Sequence, residues 1–248
     1  MRYLIELSYK GTGYHGWQKQ HNAHSVQGVL DEKLSLLIGE NIETLGCGRT
    51  DSGVHAKQFF AHFDTGKPVD PAHIVYKLNH ILPVDISIQE VRVVSDEFNA
   101  RFDAAYRTYE YHISRKRDPF ATGVSWYLYG PLDVAVMNTC AALLIGKKDF
   151  ECFSKVHTQV NNFICEVMLA EWTEQDDRLV FTIRANRFLR NMVRAIVGTL
   201  VEAGRGRISV EDFTAILESR SRSEAGQSVP AQGLFLTEVY YDFGKVQA

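Results

Sequence analysis

The stretch GCGRTDSGVH, Gly46–His55, packs three glycines, an Arg–Thr–Asp triplet and a histidine into ten residues. Its candidate reactive group is Asp51. A carboxylate flanked by glycines can attack an electrophile or stabilise a cationic centre. Arg49, two residues earlier, favours the ionised form. Aspartate also shapes turns through its own side chain, so an Asx-turn is the competing reading, and on these residues alone both stand. Ser52 and His55 do not make a hydrolase, because no G-x-S-x-G elbow surrounds the serine. His62 and Asp64 share a strand face, but no third ligand joins them and His55 at a recognised metal spacing.

A second chemical signal is Gly11-Thr12-Gly13-Tyr14-His15-Gly16, a literal G-x-G-x-x-G after a strand. A dinucleotide site needs the helix to open within the motif. Here the helix signal begins only at Ser25, and the strand order is not βαβ. What remains is a loop in which Tyr14 and Trp17 lie among His15, Lys19, His21 and His24. Aromatics interleaved with polar and basic groups suit single-stranded nucleic acid. A capping loop whose tryptophan packs on the core is the alternative.

The third signal is arginine. Between Arg184 and Arg207 stand six arginines (184, 187, 190, 194, 205 and 207) against one acid, Glu202. Residues 101–117 add Arg101, Arg107, Arg115, Lys116 and Arg117 against Asp103 and Glu110. A charge run usually marks a solvated face. The preference for arginine over lysine leans toward RNA, since guanidinium forks onto phosphate and stacks on bases. The net charge of −3 gives no global basic field, so any such partner must be held locally.

The chain must be able to position these groups. Its 248 residues, 45% hydrophobic and 23% charged, can bury a sizeable core in one large or two small domains. No apolar run approaches the ~20 residues of a membrane helix. Cys47, Cys140, Cys152 and Cys165 form no CxxC pair, and reduced thiols in a cytoplasmic protein account for them.

Alternation predicts a strand over residues 3–9. Ser25 caps a helix running to Ile38, with Val26, Val29, Leu30, Leu34 and Leu37 on one face and Gly39 as its stop. Strands are expected at 42–48, 56–64 and 86–94, with a helix opened by Asp70-Pro71 and stopped before Pro83. The second half repeats this order. It has strands at 106–113, 163–172 and 179–185, helices at 133–145 and 188–203, a short helix at 210–217 and a last strand at 234–242. Each half reads strand–helix–strand–strand–helix–strand, the ferredoxin-like order. The first helix of each half ends in Leu-Ile-Gly, at 37–39 and 144–146. The expected fold is therefore α+β. Two pseudo-repeated ferredoxin-like halves, 1–105 and 106–248, form a mostly antiparallel central sheet flanked by helices, with a cleft between the halves as the default site.

The segment GCGRTDSGVHA resembles the active-site pattern G-R-T-D-x-G-V-H of the TruA-type tRNA pseudouridine synthases. Five more stretches match in order: YKGTGYHGWQKQ (9–20), FNARFDA (98–104), RTYEY (107–111), NRFLRNMVRAIVG (186–198) and PAQGLFL (230–236). The resemblance spans essentially the whole chain. It departs at Lys10, where several members carry aspartate, and at 155–163, which lack the family's arginine-containing pattern.

This resemblance implies a homodimeric isomerase that converts uridine to pseudouridine at positions 38, 39 and 40 of the tRNA anticodon stem-loop. It implies no cofactor, no metal and no membrane. Asp51 would be the nucleophile, adding to C6, attacking C1′ or assisting elimination. The target base lies in a stem and must be flipped out. Tyr109 would stack on it, and Arg194 would pair with Asp51. Arg49 would help flip or replace the base and hold the neighbouring phosphate. Tyr14, Trp17, Arg187, Arg190, Arg205 and Arg207 are the expected RNA contacts, more to backbone than to bases. The alternative function is a non-catalytic RNA-binding or tRNA-folding protein of the same fold. Arg49, Asp51, Tyr109 and Arg194 together favour the enzyme.

Overall fold

A computed structural model of the chain describes residues 1–155 and 162–246. The expected family departure at 155–163 therefore lies mostly outside the described residues. In chain order the elements begin with β1 (Arg2–Tyr9), α1 (Val26–Ile38), β2 (Leu45–Gly46), β3 (His55–Asp64), α2 (Pro71–Ile81) and β4 (Ile86–Val94). They continue with β5 (Ala104–Ser114), β6 (Trp126–Tyr127), α3 (Val134–Ala142), β7 (Gly146–Asp149), β8 (Ile164–Gln175) and β9 (Arg178–Ala185). The last are α4 (Met192–Gly204), α5 (Val210–Ser219), β10 (Leu234–Tyr241) and α6 (Phe243–Val246). The fold is mixed α+β with mostly antiparallel strand pairs.

The chain divides into two compact units, Met1–Tyr106 with Phe235–Ala248, and Arg107–Leu234. The last strand thus belongs with the first unit, which a simple split into 1–105 and 106–248 does not foresee. The reason is a parallel pairing of β10 with β3, Phe235 opposite His55 and Leu236 opposite Ala56.

In the first unit β1 lies between β4 and β3, antiparallel to both. Tyr3, Ile5 and Leu7 of β1 are buried, as are Phe59 and Phe63 of β3. The helices form where local chemistry demands them. Ser25 accepts from the Gly28 amide at the start of α1, and Gly39 at φ 73° ends it. Asp70 caps α2 through the Ala72 amide, with Pro71 in the first turn.

α1 also buries a charge: Asp31 Oδ1 accepts from the Thr44 amide (3.0 Å) and hydroxyl (2.7 Å). Burial pushes the Asp31 carboxyl up despite these bonds. Because Thr44 is turned to Asp31, the strand expected at 42–48 shortens to Leu45–Gly46.

In the second unit β9 lies between β5 and β8, antiparallel to both, with β7 beyond β8 and β6 parallel to β5. α4 packs on α3 and α5. It is buried at every position but Arg194 and Glu202. Gly198 permits this, since a Cβ there would lie 1.9 Å from the Gln227 carbonyl oxygen. The two Leu-Ile-Gly triplets are not equivalent. Gly39 ends α1, whereas α3 ends at Ala142 and Gly146, at φ 99°, opens the short strand β7.

Candidate active site

Asp51 sits in the loop between β2 and β3, half-buried, with Thr50 buried before it and Arg49 exposed. Almost every neighbour is fastened to the segment 9–17. The Tyr9 hydroxyl and Thr50 Oγ1 are 2.9 Å apart, and the Trp17 amide donates to the Thr50 carbonyl at 3.3 Å. The Tyr14 carbonyl accepts from Ser52 Oγ and from the Gly53 amide, each at 3.2 Å. The Gly11 amide donates to His55 Nδ1 at 3.0 Å. Asp51 itself closes a turn, its carbonyl accepting from the Val54 amide at 3.1 Å with Gly53 at φ 80°. Turn-former and candidate reactive group are thus one residue, and it is the backbone carbonyl of Asp51 that makes the turn.

The glycines explain how two loops approach so closely. A Cβ on Gly11 would lie 2.0 Å from the Val54 oxygen, and one on Gly16, at φ 87°, 2.3 Å from the Thr50 oxygen. Gly46 admits the Trp17 indole, whose Nε1 would be 2.5 Å from a Cβ. Of the glycines near Asp51, Gly48 faces open space and so fits the clearance that a ligand needs.

The two aromatics expected on RNA are placed differently. Tyr14 is 4% exposed and Trp17 2%. Trp17 lies on Phe59, with ring centroids 4.1 Å apart, and near Tyr9. The Tyr14 hydroxyl donates to Asp85 Oδ1 at 2.6 Å, and its ring stacks on His24 at 4.9 Å. Burial and Asp85 push the phenol's pKa up, so it remains a proton donor. Both rings are buried against groups of the first unit itself. Thr12, His15, Lys19, Gln20, His21, Asn22 and His24 are the exposed polar groups of this loop.

In the second unit Tyr109 stands on β5 opposite Ile183, half-buried, with the edge of Phe188 against its ring (centroids 5.0 Å, 85°). Arg107 Nη1 holds the Asn186 carbonyl at 3.0 Å. Asn186 is itself tied to Glu166 through its amide and its side chain. Phe188 and Asn186 were not singled out in the sequence, where nothing marks them except their place in the NRFLRNMVRAIVG match. Tyr111 donates to the Pro230 carbonyl at 2.8 Å and fills the space a Cβ on Gly233 would need. RTYEY and PAQGLFL therefore meet through that tyrosine.

The arginine run is not one surface. The helix expected from Phe188 starts at Met192, because Asn191 takes a left-handed φ of 67° and anchors Nδ2 on Ser228 Oγ at 2.5 Å. Arg187 and Arg190 therefore lie on the approach to α4, half-buried and exposed respectively. Arg194, in the first turn, gives Nε to the Val229 carbonyl at 2.7 Å. Arg205 and Arg207 lie past the other end, roughly 16 Å along the axis at 1.5 Å per residue. Both lean on Glu202, at 3.5 and 2.9 Å.

His62 and Asp64 each have partners of their own in the first unit. His62 Nδ1 accepts from the Ala100 amide at 3.1 Å, and burial holds its pKa down to about 4. Asp64 takes a two-pronged pair from Arg2, at 2.9 and 2.7 Å. Among the described residues no three His, Cys, Asp or Glu side chains gather as a metal cluster. The four cysteines are buried thiols, with Cys152 and Cys165 pushed up to about 12 and about 11 by burial. No described helix is long and apolar enough to cross a membrane.

Comparison with known proteins adds one consistent answer. Residues 140–242 match a family model described as tRNA pseudouridine synthase. The chain is similar to tRNA pseudouridine synthase A of Bacteroides fragilis, 49% identical over 97% of this chain and 96% of that protein. It is similar to the protein of that name from Porphyromonas gingivalis at 46%, over 97% of both chains. For that of Exiguobacterium sibiricum the identity is 36% over 98% of both.

Proposed function

The chain belongs to the tRNA pseudouridine synthase family, and from that premise we propose that it isomerises uridine to pseudouridine at positions 38, 39 and 40 of the tRNA anticodon stem-loop. The reaction breaks N1–C1′, turns the base and forms C5–C1′. The proton on C5 leaves and N1 gains one, so no electrons or outside atoms are consumed.

Asp51 is the nucleophile of this reading. The observation that carries it is the loop itself: residues 50, 52, 53 and 55 are each bonded to segment 9–17, and Asp51 stands half-buried among them. Backbone fixed on both sides of a carboxylate is the preorganisation that attack at a sugar or base carbon needs.

Tyr109 stacks on the flipped base and can take the C5 proton. Its ring plane is set by Phe188. Arg194 is kept in this reading as the arginine that the resemblance assigns to the catalytic carboxylate, and Arg49, exposed, replaces the flipped base or holds its phosphate. Arg187 and Arg190 bind backbone phosphates. Arg205 and Arg207 contribute less, because each guanidinium already shares Glu202.

The protein acts as a cytoplasmic homodimer in this reading. The duplicated ferredoxin-like plan draws support from a recurring arrangement. With the short strands β6 and β7 set aside, first, third and second strands lie side by side as β1-β3-β2 and again as β5-β9-β8.

The test is Asp51→Ala. It is expected to bind tRNA normally and to release no tritium from C5-labelled uridine. Normal release by that variant overturns the nucleophile assignment.

A further inference from the structure

We propose that Tyr14 is a positioning residue for Asp51, acting through its main-chain carbonyl, and that Asp85 is the latch that fixes it. The inference rests on reading Asp51 as the nucleophile.

The turn after Asp51 has two donors, Ser52 Oγ and the Gly53 amide, and both converge on the carbonyl oxygen of Tyr14 at 3.2 Å. Where that oxygen points, the residue after Asp51 follows. The carbonyl in turn depends on the side chain of the same residue. The phenol O–H donates a hydrogen bond to Asp85 Oδ1 at 2.6 Å, a bond 71 positions apart in sequence, and the ring lies flat on His24.

Asp85 grips the loop twice, since its own carbonyl accepts the Lys10 amide at 2.8 Å. It directly precedes β4, whose first residue Ile86 pairs with Tyr9 of β1, so the latch is mounted on the sheet.

Phenylalanine would fill the same space. The hydroxyl adds a charge-assisted bond to a carboxylate, which is short and directional, and its effect is to fix residue 14. A buried phenol that stays protonated keeps that bond across the working pH range. Displacing a reacting group by about 1 Å can cost about a hundredfold in rate. A partial drift of the turn is then expected to cost about tenfold.

The experiment uses the full chain and compares Tyr14→Phe, Asp85→Ala, Asp85→Asn and Asp51→Asn. It measures single-turnover tritium release at saturating tRNA, tRNA affinity and melting temperature. Tyr14→Phe and Asp85→Ala are each expected to slow release about tenfold with affinity within about twofold, and their combination to be no slower than the worse single variant. Asp85→Asn keeps an oxygen acceptor and is expected to recover the rate.

Weakened tRNA affinity with an unchanged rate would make Tyr14 an RNA contact and overturn the proposal. A lowered melting temperature with an unchanged rate would make the bond purely structural and also overturn it. If Asp51→Asn is inactive while the Tyr14 and Asp85 variants are not slowed, the positioning role fails alone. If Asp51→Asn retains release, the nucleophile reading fails and takes the proposal with it.

Discussion

The loop that carries Asp51 and the approach to α4 hold irregular backbone in place by different means. Around Asp51 the hold is made of main-chain groups, hydroxyls, tightly packed glycines and one histidine lone pair. Gly11 and Gly16 have no room for a Cβ, and His55 Nδ1 accepts an amide. Elsewhere in the same unit His62 does the same for Ala100. Before α4 the hold is made of side chains. Asn191 adopts the left-handed conformation itself and is bonded to Ser228, which Arg222 also contacts at 3.0 Å. The first kind of hold fails by collision. The second fails by the loss of one bond.

Three measurements can break or sharpen that contrast. The largest effect is expected at Gly16→Ala. The new methyl would strain a positive φ and meet the Thr50 oxygen, with no flexible side chain to give way. A loss of about 3 kcal/mol or more in urea unfolding is expected, with label release falling alongside it. Wild-type stability and rate would show that the two loops are not locked together as described.

Acid comes next. Folding holds His62 from its ordinary 6.5 down to about 4. The unfolded chain therefore takes up a proton that the folded chain refuses. The stability from neutral His62 is present above pH 6.5 and is lost as pH falls from there to about 4. Over that window the loss is expected to reach roughly 3 kcal/mol. His62→Asn, whose side-chain oxygen can still accept the Ala100 amide, should flatten the slope. An unchanged slope in that variant would remove His62 from the account.

The smallest effect is on the α4 side. Asn191→Ala should cost about 2 kcal/mol, part backbone strain and part the bond to Ser228. Asn191→Gly, which relieves the strain, should cost about half as much. Equal losses in the two variants would mean that the left-handed conformation carries no strain there.

What could be read in the sequence was what chemistry writes locally. Ser25 and Gly39 mark both ends of α1, and Asp70-Pro71 starts α2, because a cap is settled by residues within one turn. The Asp51 motif was likewise contiguous and stood out. What escaped was long-range. Nothing near Tyr14 announces Asp85, and nothing near Trp17 announces Phe59, so an aromatic loop resembled a binding surface when its rings brace the interior. The arginine run is a related case. Sequence proximity placed Arg187 and Arg205 together, and a buried helix carries them to opposite ends. The start of α4 depended on one left-handed asparagine, a conformation that periodicity does not register.

The parallel pairing of β10 with β3 also sets a clock on synthesis. His55 and Phe235 are 180 positions apart, and their rings stack at 4.6 Å. A ribosome adding about 5–20 residues per second needs roughly ten to forty seconds to make that interval. Throughout it, the part of β3 that abuts the Asp51 loop lacks its neighbouring strand, while the whole Arg107–Leu234 unit emerges. The nascent chain therefore possesses the Asp51 loop early but finishes the sheet beside it only when β10 is made. In birth order, the first unit is the last to be completed.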